Sequence, residues 1–240
     1  MRSIEIVTHC WAGRYAHYAY SLTHQLSSLV LHRSSAPVLV ALCFDPQDSL
    51  VSGVIDFFRG EVDFKLFPMK VSDLGRRSIG RNKAALETQA DVVWFTDCDH
   101  VFHDGCLDHL ADLLWPEWAP MVYAKTIMIH KDWATGDAAL VKARVPTLVD
   151  IDPNEFMPKR YNKAIGGVQI VRGDFAREHG YLRDIPRWQQ PYHGNRQFDS
   201  CVCDKAYRRF IQDRRTENSI LPIDLPGLYR LRHTQTTHHD

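Results

Sequence analysis

The sequence has no excess of charge of either sign. Its 240 residues include 29 lysines and arginines and 29 aspartates and glutamates, so the formal net charge is zero with histidine neutral. Without an excess of positive charge, neither nucleic acid nor an acidic membrane is favoured as a partner on electrostatic grounds. Hydrophobic residues make up 45% of the chain, which excludes an intrinsically disordered protein. We therefore expect a folded globular protein.

Long hydrophobic runs are also missing. The longest apolar stretch, residues 36–44, is too short to span a bilayer. The first residues lack the apolar segment that a secretory signal requires. These absences predict a cytoplasmic protein that does not insert into membranes.

The cysteines form no regular framework. No two are spaced as C-x-x-C, and their intervals along the chain are irregular. A chain of this length can bury a core large enough to fold without disulfides. We therefore expect reduced thiols, as in a cytoplasmic protein. The six cysteines are Cys10, Cys43, Cys98, Cys106, Cys201 and Cys203.

The first half of the chain alternates short apolar runs with segments of helical periodicity. Each apolar run predicts a buried strand, and each periodic segment predicts a helix. Asp45 and Pro46 predict the start of the second helix, and Gly60 predicts its end. Three strand–helix pairs and a fourth strand predict an α/β fold, a single Rossmann-like domain with a mostly parallel central sheet and helices on both faces. The predicted strands are 3–8, 37–44, 62–67 and 91–96, and the third helix is 78–90.

The second half is less regular. Residues 126–160 show no sustained period, which predicts a long functional loop or lid. A strand is predicted at 166–171, and a final amphipathic helix at 198–212 follows a polar and aromatic loop at 183–196. Because ligands of such folds bind at the carboxyl ends of the parallel strands, we expect functional residues there.

Two aspartates follow the fourth predicted strand. Asp97 and Asp99 are separated by one residue at the mouth of an apolar strand. Neighbouring carboxylates in such a position repel each other unless positive charge neutralises them. A hard divalent cation does this, and carboxylate oxygens suit Mg²⁺ or Mn²⁺. The pattern predicts a metal site, with the alternative that one aspartate caps the next helix while the other is solvated.

One class of enzyme with such a pair is the haloacid-dehalogenase-like phosphatases. They carry D-x-D-x-T/V after an apolar strand, and Asp97, Asp99 and Val101 match that pattern. In those phosphatases the motif follows the first strand, whereas here it follows the fourth, and no adjacent acidic pair occurs later. This phosphatase is kept as an alternative.

A longer resemblance includes the helix before the aspartates. Residues 80–99, GRNKAALETQADVVWFTDCD, resemble the core of the GT-A glycosyltransferases, especially those of the family 2 type. In that family a helix that begins with Arg-Asn and an aspartate-rich strand end hold the nucleotide sugar. Thr8, His9 and Arg14 resemble the family's opening strand and turn, which contacts the nucleotide base. Residues 164–169, AIGGVQ, are similar to its small-residue strand beside donor and acceptor.

Two later segments extend the resemblance. Residues 197–199, Gln-Phe-Asp, are similar to the family's E-D-x-x-L element, in which Asp199 takes the place of the catalytic base. Phe198 stands where the family has an acidic residue. Residues 228–233, LYRLRH, resemble the segment in which some GT-A enzymes supply a histidine to the metal, here His233.

The resemblance implies one GT-A-like domain over 1–240, in which 1–100 bind the nucleotide sugar while 101–240 bind the acceptor and supply the late metal ligand. It implies a glycosyltransferase of the hexosyltransferase type that uses Mn²⁺ or Mg²⁺. The implied donor is a nucleotide-diphosphate sugar, in particular a UDP-sugar, and transfer inverts the anomeric carbon with Asp199 as base. The implied metal ligands are Asp97, Asp99 and His233. The implied nucleotide-sugar ligands are Thr8, His9, Arg14, Arg81, Asn82, Asp97, Gly166 and Gly167.

Each of these assignments has a plainer alternative. Asp199 is also a preferred residue for a helix N-cap. Arg81 is otherwise a surface ion pair, and His233 an exposed residue near a chain end. Gly166 and Gly167 are otherwise a turn before a strand.

The acceptor is left open by the sequence: a glycan, a small molecule or a modified nucleobase in DNA. Trp133, Trp188 and Tyr192 are candidates to stack on a sugar or base, and equally candidates to anchor their own loops. The final helix has a basic face, which permits a phosphate-bearing acceptor although zero net charge does not favour one. That face comprises Lys205, Arg208, Arg209, Arg214 and Arg215.

Two further functions stay open as alternatives. A nucleotidyltransferase of similar fold needs a glycine-rich phosphate loop after the first strand, where residues 8–14 contain one glycine, Gly13. A sugar- or nucleotide-binding domain with a decayed site would bind nucleotide without turnover.

Overall fold

A computed structural model describes residues 1–13, 15–114, 116–191, 202–214 and 219–234. Within these residues the chain forms two β-sheets and eight α-helices, which confirms the predicted α/β class. The strands are β1 (Ile4–Cys10), β2 (Val38–Phe44), β3 (Phe64–Pro68), β4 (Val92–Phe95), β5 (His100–Phe102), β6 (Met121–Ala124), β7 (Thr126–His130), β8 (Phe156–Arg160), β9 (Gln169–Arg172), β10 (Ile220–Ile223) and β11 (Leu228–Arg230). The helices are α1 (His17–Leu31), α2 (Ser49–Phe58), α3 (Val71–Leu74), α4 (Arg77–Glu87), α5 (Cys106–Asp112), α6 (Trp133–Lys142), α7 (Gly173–His179) and α8 (Val202–Arg214).

The larger sheet has seven strands in the order β10-β6-β9-β4-β1-β2-β3. Strands β4, β1, β2 and β3 run parallel, whereas β9 is antiparallel to β4 and β6. All residues of β1 and β4 are buried. Ile4 pairs with Val38 on one side and with Val92 on the other. Strands covered on both faces have continuous apolar sequences, which is why the sequence reveals β1, β2 and β4.

The smaller sheet has the order β5-β11-β7-β8. The prediction of an irregular loop over 126–160 is wrong, because this stretch contains β7, α6 and β8. Strand β8 buries its first residue, Phe156, and exposes the other four, which include Pro158. A strand at a sheet edge with a proline has no apolar alternation, so the sequence pattern gives no sign of it.

Two predicted boundaries differ from the structure. The N-cap of α2 is Asp48 rather than Asp45, because Asp48 Oδ1 accepts hydrogen bonds from the backbone N–H groups of Leu50 and Val51 at 3.1 and 3.2 Å. Its other oxygen accepts from Ala12 N at 2.6 Å, which ties α2 to the end of β1. The strand predicted at 166–171 begins with a turn of 3₁₀ helix, Gly166–Val168, before β9.

Apolar side chains from both faces of the larger sheet form the core. Trp94 and Phe95 of β4 are fully buried, and Trp94 Nε1 donates to Gly167 O at 3.0 Å. The described cysteines are buried and form no disulfide among themselves. Among the described helices, none is long and apolar enough to cross a membrane.

Candidate functional site

The segment with the two aspartates connects the two sheets. Residues 96–99 leave β4 of the larger sheet and lead into β5 of the smaller sheet. A pocket of about 180 Å³ opens beside this connection at the carboxyl ends of β1 and β4. It is lined by His9, Tyr18, Arg77, Asp97, Cys98, Asp99, Arg230 and His233.

Asp99 is the more enclosed of the two carboxylates. Arg230 Nε donates to its Oδ2 at 2.9 Å, and His100 Nδ1 lies 3.0 Å from Oδ1. The backbone carbonyl of Asp99 accepts from Leu231 N at 2.8 Å, which fixes the strand end. Burial raises the pKa of Asp99, but Arg230 and His100 lower this pKa by more, so that it lies well below its ordinary value. Asp99 is therefore a buried carboxylate that stays ionised.

Asp97 has arginine partners as well. Its Oδ1 accepts from Arg77, and Arg81 Nη2 lies 3.4 Å away. The Asp97 side chain is 28% exposed, against 12% for Asp99. Each aspartate of the pair thus contacts a guanidinium group, Arg77 or Arg230. The protein itself supplies part of the positive charge that the sequence pattern demands.

Arg81 and Asn82 hold the fold together around this pocket. The fully buried Arg81 donates to Asp204, to Tyr181 Oη at 3.0 Å and to Gly166 O at 3.1 Å. Asn82 Oδ1 accepts from Tyr181 N at 3.0 Å. Neither side chain lines the pocket. Arg81 forms an ion pair with Asp204, as the plainer alternative predicted, but this pair is buried and not at the surface. The contact of Arg81 with a nucleotide sugar stays a prediction.

Thr8 and His9 lie at the end of β1. Both are buried, and neither the Thr8 hydroxyl nor either ring nitrogen of His9 has a hydrogen-bond partner among the described residues. Gly80 makes room for the imidazole, because a Cβ at that position would lie 2.3 Å from His9 Nε2. Burial lowers the pKa of His9 well below its ordinary value, and Arg81 and Arg77 add to this effect. His9 is therefore a neutral ring that lines the pocket, and among the described residues neither of its nitrogens has a hydrogen-bond partner.

Gly166 and Gly167 are required by side chains of the protein. A Cβ on Gly166 would lie 2.2 Å from Asp204 Oδ2, and one on Gly167 would lie 2.1 Å from His100 Cε1. The space beside each glycine is thus filled by an acidic or imidazole group. Their predicted approach to the nucleotide sugar stays a prediction.

His233 is buried in the pocket wall, in contrast to the exposed residue of the plainer alternative. Its side chain is 2% exposed, and its ring centroid lies 4.3 Å from that of His17 and 6.4 Å from that of Tyr18. Burial is the main cause that lowers the pKa of His233. A neutral imidazole is the form that binds metal ions.

Asp97, Asp99 and His233 share one pocket but are not preassembled as a ligand set. The two carboxylates are donors that Mn²⁺ and Mg²⁺ prefer, so these residue types fit the predicted metal, and the neutral imidazole can complete the set for the softer Mn²⁺. Among the described residues, three possible ligands do have donor atoms within 4.8 Å of one another, but they are not Asp97, Asp99 and His233. That set is His32, His103 and Asp104.

Asp199 and Arg14 lie outside the residues that the structure describes, as does Tyr192. The two candidate tryptophans pack against arginines. The ring centroid of Trp133 lies 4.1 Å from the guanidinium carbon of Arg232, and the ring centroid of the buried Trp188 lies 5.0 Å from that of Arg187. On the basic face of α8, Arg208 donates to Ala164 O at 2.8 Å. The described tryptophans therefore have the anchoring contacts of the plainer alternative.

The two arginines that line the pocket, Arg77 and Arg230, were not among the predicted site residues. Arg77 precedes Arg81 by four residues on α4, so helical spacing places both on one face, and this signal was available. Arg230 lies within 228–233, the segment that was singled out for His233. Asp204 gave no such signal, because it meets Arg81 across 123 residues of chain.

A second cavity, of about 350 Å³, lies at the opposite edge of the larger sheet, where β4 begins and β9 ends. Its charges are balanced, and Arg172 pairs with Asp174 there. Because ligands of this fold bind at the carboxyl ends of the parallel strands, the site is assigned to the pocket beside Asp97. The cavity is lined by Arg2, Asp91, Val92, Glu117, Arg172, Asp174 and Arg177.

Solved structures of other proteins resemble the fold of this chain. No family model and no curated protein matches this chain. The apo-form glycosyltransferase GlyE of Streptococcus pneumoniae TIGR4 matches 97% of this chain and 55% of its own, with 11% identity and a TM-score of 0.52. An active-site mutant of LgtC matches 78% of this chain and 62% of its own, with 12% identity and a TM-score of 0.46. S. aureus TarS 1-349 in complex with UDP-GlcNAc matches 55% of this chain and 35% of its own, with 18% identity and a TM-score of 0.39.

Of these three structures, GlyE alone has a TM-score above 0.5, and at such low identity the likeness establishes the fold and not the reaction. This chain spans about half the length of GlyE and about a third of TarS. The phosphatase and the nucleotidyltransferase find no counterpart among the three. The chain has the GT-A-like fold of the glycosyltransferases, as residues 80–99 predict.

Proposed function

We propose that this protein is a metal-dependent glycosyltransferase that moves a sugar from a nucleotide-diphosphate sugar to an acceptor hydroxyl. The observation that carries the proposal is one pocket, at the carboxyl ends of β1 and β4, that gathers Asp97, Asp99 and His233 with Arg77 and Arg230. Ligands of open α/β sheets bind at this edge. Carboxylates for a cation and guanidinium groups for phosphates are the two kinds of group that a nucleoside diphosphate requires.

The proposed ligands of Mn²⁺ or Mg²⁺ are Asp97, Asp99 and His233. When bound, such a cation stabilises the negative charge that develops on the leaving diphosphate. The chain also provides Arg77 and Arg230, whose planar guanidinium groups can pair with phosphate oxygens as they now pair with the carboxylates. We propose that both arginines hold the diphosphate.

The proposed nucleotide end of the site is the exit of β1. Support comes from the polar atoms of Thr8 and His9, which find no hydrogen-bond partner in the described part of the chain. Buried polar groups without a partner are costly unless a ligand satisfies them. His9 lines the pocket, and Arg14 follows it five residues later in the sequence. A UDP-sugar is the donor proposed, in line with the ligand named for TarS.

The proposed base for inverting transfer is Asp199. Support comes from the position of α8, whose Asp204 Oδ2 lies 3.2 Å from Arg77 Nη2, and Arg77 in turn contacts Asp97. The start of α8 therefore lies beside the pocket, and Asp199 precedes the first residue of α8 by three positions in the sequence. In this role Asp199 takes the proton of the acceptor hydroxyl as the bond to the anomeric carbon forms.

A panel of nucleotide sugars with Mn²⁺ or Mg²⁺ tests the proposal, read by thermal shift for donor binding and by release of nucleoside diphosphate for transfer. Asp99→Asn should lose the metal-dependent thermal shift, whereas Asp112→Asn, a change at an exposed position of α5, should keep it. Asp199→Asn should keep the shift and lose transfer by about 100-fold or more. Each shift is measured against the variant's own melting temperature without ligand.

No stabilisation of the unaltered protein by any nucleotide, with or without metal, would contradict the proposed function. A shift that survives Asp99→Asn would remove Asp99 from the metal site. Transfer that survives Asp199→Asn would assign the base to another residue.

A further inference from the structure

Outside the pocket, four side chains able to bind metal ions meet at the end of α1. His32 is the C-cap of α1, His103 and Asp104 follow β5, and Asp150 precedes β8. His32, His103 and Asp104 each place one donor atom within 4.8 Å of the other two. Residues far apart in sequence thus bring two imidazoles and a carboxylate to one point.

The separations suit one small ion. His32 Nδ1 lies 2.6 Å from Asp104 Oδ1, and His103 Nδ1 lies 4.0 Å from Asp104 Oδ2. The centroids of the two imidazole rings lie 3.9 Å apart. Around a tetrahedral Zn²⁺, with bonds of about 2.1 Å, ligand atoms are about 3.4 Å apart. The two distances between donor atoms, 2.6 and 4.0 Å, lie on either side of that value. The His32 side chain is 8% exposed and fixed in place, while Asp104 is 78% exposed and can adjust.

Asp150 orients the His32 ring. Its Oδ1 lies 3.0 Å from His32 Nε2 and also accepts from Ile151 N at 2.8 Å, so the carboxylate itself is held. A carboxylate on the far nitrogen of an imidazole is the usual outer contact of a zinc-bound histidine, because it fixes the ring and its tautomer. It leaves His32 Nδ1 directed at the cluster.

We propose that His32, His103 and Asp104 form a Zn²⁺ site, with Asp150 as the residue that positions His32 and with water in the fourth position. Two imidazole nitrogens and one carboxylate favour Zn²⁺ over Mg²⁺, which prefers oxygen ligands alone. The site is separate from the proposed donor pocket and does not depend on the proposed function.

The role of this site is to hold elements together. Bound Zn²⁺ joins α1 to the turn between β5 and α5, and through Asp150 to the segment before β8. His103 N donates to Gly227 O at 2.8 Å, and its ring packs edge-on against Tyr229 of β11 at 5.6 Å. Strand β11 continues to Arg230, the partner of Asp99, so the ion braces the strand pair beside the pocket.

The test is a Zn²⁺ titration of the whole protein, stripped with a chelator, against a chromophoric competitor and with Mg²⁺ in excess. We expect one Zn²⁺ per chain. His103→Asn should abolish this binding, and Asp150→Asn should weaken it about 10- to 100-fold. His109→Asn, at an exposed position of α5, should leave it unchanged.

Absence of Zn²⁺ binding, or binding that survives His103→Asn, would overturn the proposal and leave His32 as an imidazole bridge between two carboxylates. Loss of binding in Asp99→Asn but not in His103→Asn would assign the ion to the donor pocket. The visible absorption of bound Co²⁺, lost in His103→Asn, gives a second reading, and circular dichroism checks that the variant is folded.

Discussion

Asp204 is the residue on which the buried charges beside the pocket converge. It accepts from Arg81, from Arg77 at 3.2 Å and from Tyr181 Oη at 3.0 Å, and it is 3% exposed. Burial raises the pKa of Asp204, but Arg81 and Arg77 lower this pKa by more, so the carboxylate is charged. One buried anion thus holds two cations, one of which, Arg77, also contacts Asp97.

Asp204→Asn should destabilise the protein by about 3–5 kcal/mol, because removal of one partner leaves buried charge uncompensated. Asp213→Asn, at an exposed position of the same helix, should change the free energy of unfolding by no more than about 0.5 kcal/mol. Urea unfolding of both variants measures the difference. Equal stability of the two would show that Asp204 does not carry this ion-pair network.

At this scale the sequence predicted which residues are chemically important better than it predicted their partners. Asp97, Asp99, His9 and His233 do line one pocket. The resemblance to the GT-A helix start assigned Arg81 to the nucleotide, and no local pattern in the sequence shows its buried partner Asp204, which lies 123 residues away. Ion pairs across such intervals depend on the tertiary fold.

Among the elements, α6 packs unusually closely on the chain that follows β11. A Cβ on Gly136 would lie 1.5 Å from Arg232 O and 3.0 Å from His130 Nδ1. Helix and backbone therefore touch at a point where a methyl group has no room. Arg232 directly precedes His233, so this contact also positions the predicted metal ligand.

Gly136→Ala should lower the free energy of unfolding by about 1–3 kcal/mol, because the helix must shift to accept the methyl group. Gly53→Ala in α2 is the matched control, since a Cβ there has nothing within 4 Å. It should raise the free energy of unfolding by about 0.5–1 kcal/mol through the better helix propensity of alanine. A stable Gly136→Ala variant would mean that α6 is free to move away from β11.

Strands and helices that are well buried were easier to predict from the sequence than those that are partly exposed. The parallel strands β1, β2 and β4 are covered on both faces and were located within a residue or two. The strands of the smaller sheet are short or half exposed, and β11 has three residues, too few for a period to show. An entire sheet was therefore missed, although it carries Arg230.

For the whole molecule, buried histidines determine how stability responds to pH. Burial lowers the pKa of His9, His24, His130 and His233, in the case of His130 to about 4. The unfolded chain, in which histidine has a pKa of about 6.5, therefore binds more protons than the folded chain below that pH. The free energy of unfolding should fall as the pH drops below about 6.5.

Two groups act in the opposite direction. Burial opposes protonation of His32, but its hydrogen bonds with Asp150 and Asp104 raise its pKa overall. Burial also raises the pKa of Glu5. Both groups favour the folded chain at lower pH. Four histidines have a lowered pKa, whereas these two groups have a raised one. The free energy of unfolding should therefore still fall as the pH drops below about 6.5.

We therefore expect urea unfolding at about pH 5.5 to give a lower free energy than at about pH 7.5, with each such histidine contributing up to about 1.4 kcal/mol per pH unit below its unfolded pKa. His130→Gln should reduce the difference, because it removes one of these groups. His109→Gln, at an exposed position, should leave the difference unchanged. A free energy that is the same at both pH values would contradict the burial of neutral histidines.

The place of β11 between β5 and β7 has a consequence for the order in which a growing chain acquires its parts. Asp99 and Arg230 meet across 131 residues, and β5 pairs with no described strand other than β11. When the chain has been synthesised as far as β9, the parallel strands β1, β2, β3 and β4 of the larger sheet are complete. Arg230 and His233 have not yet been made, so Asp97 and Asp99 are without these neighbours. Contacts of such long range form slowly, so the pocket beside Asp97 and Asp99 is among the last features that synthesis completes.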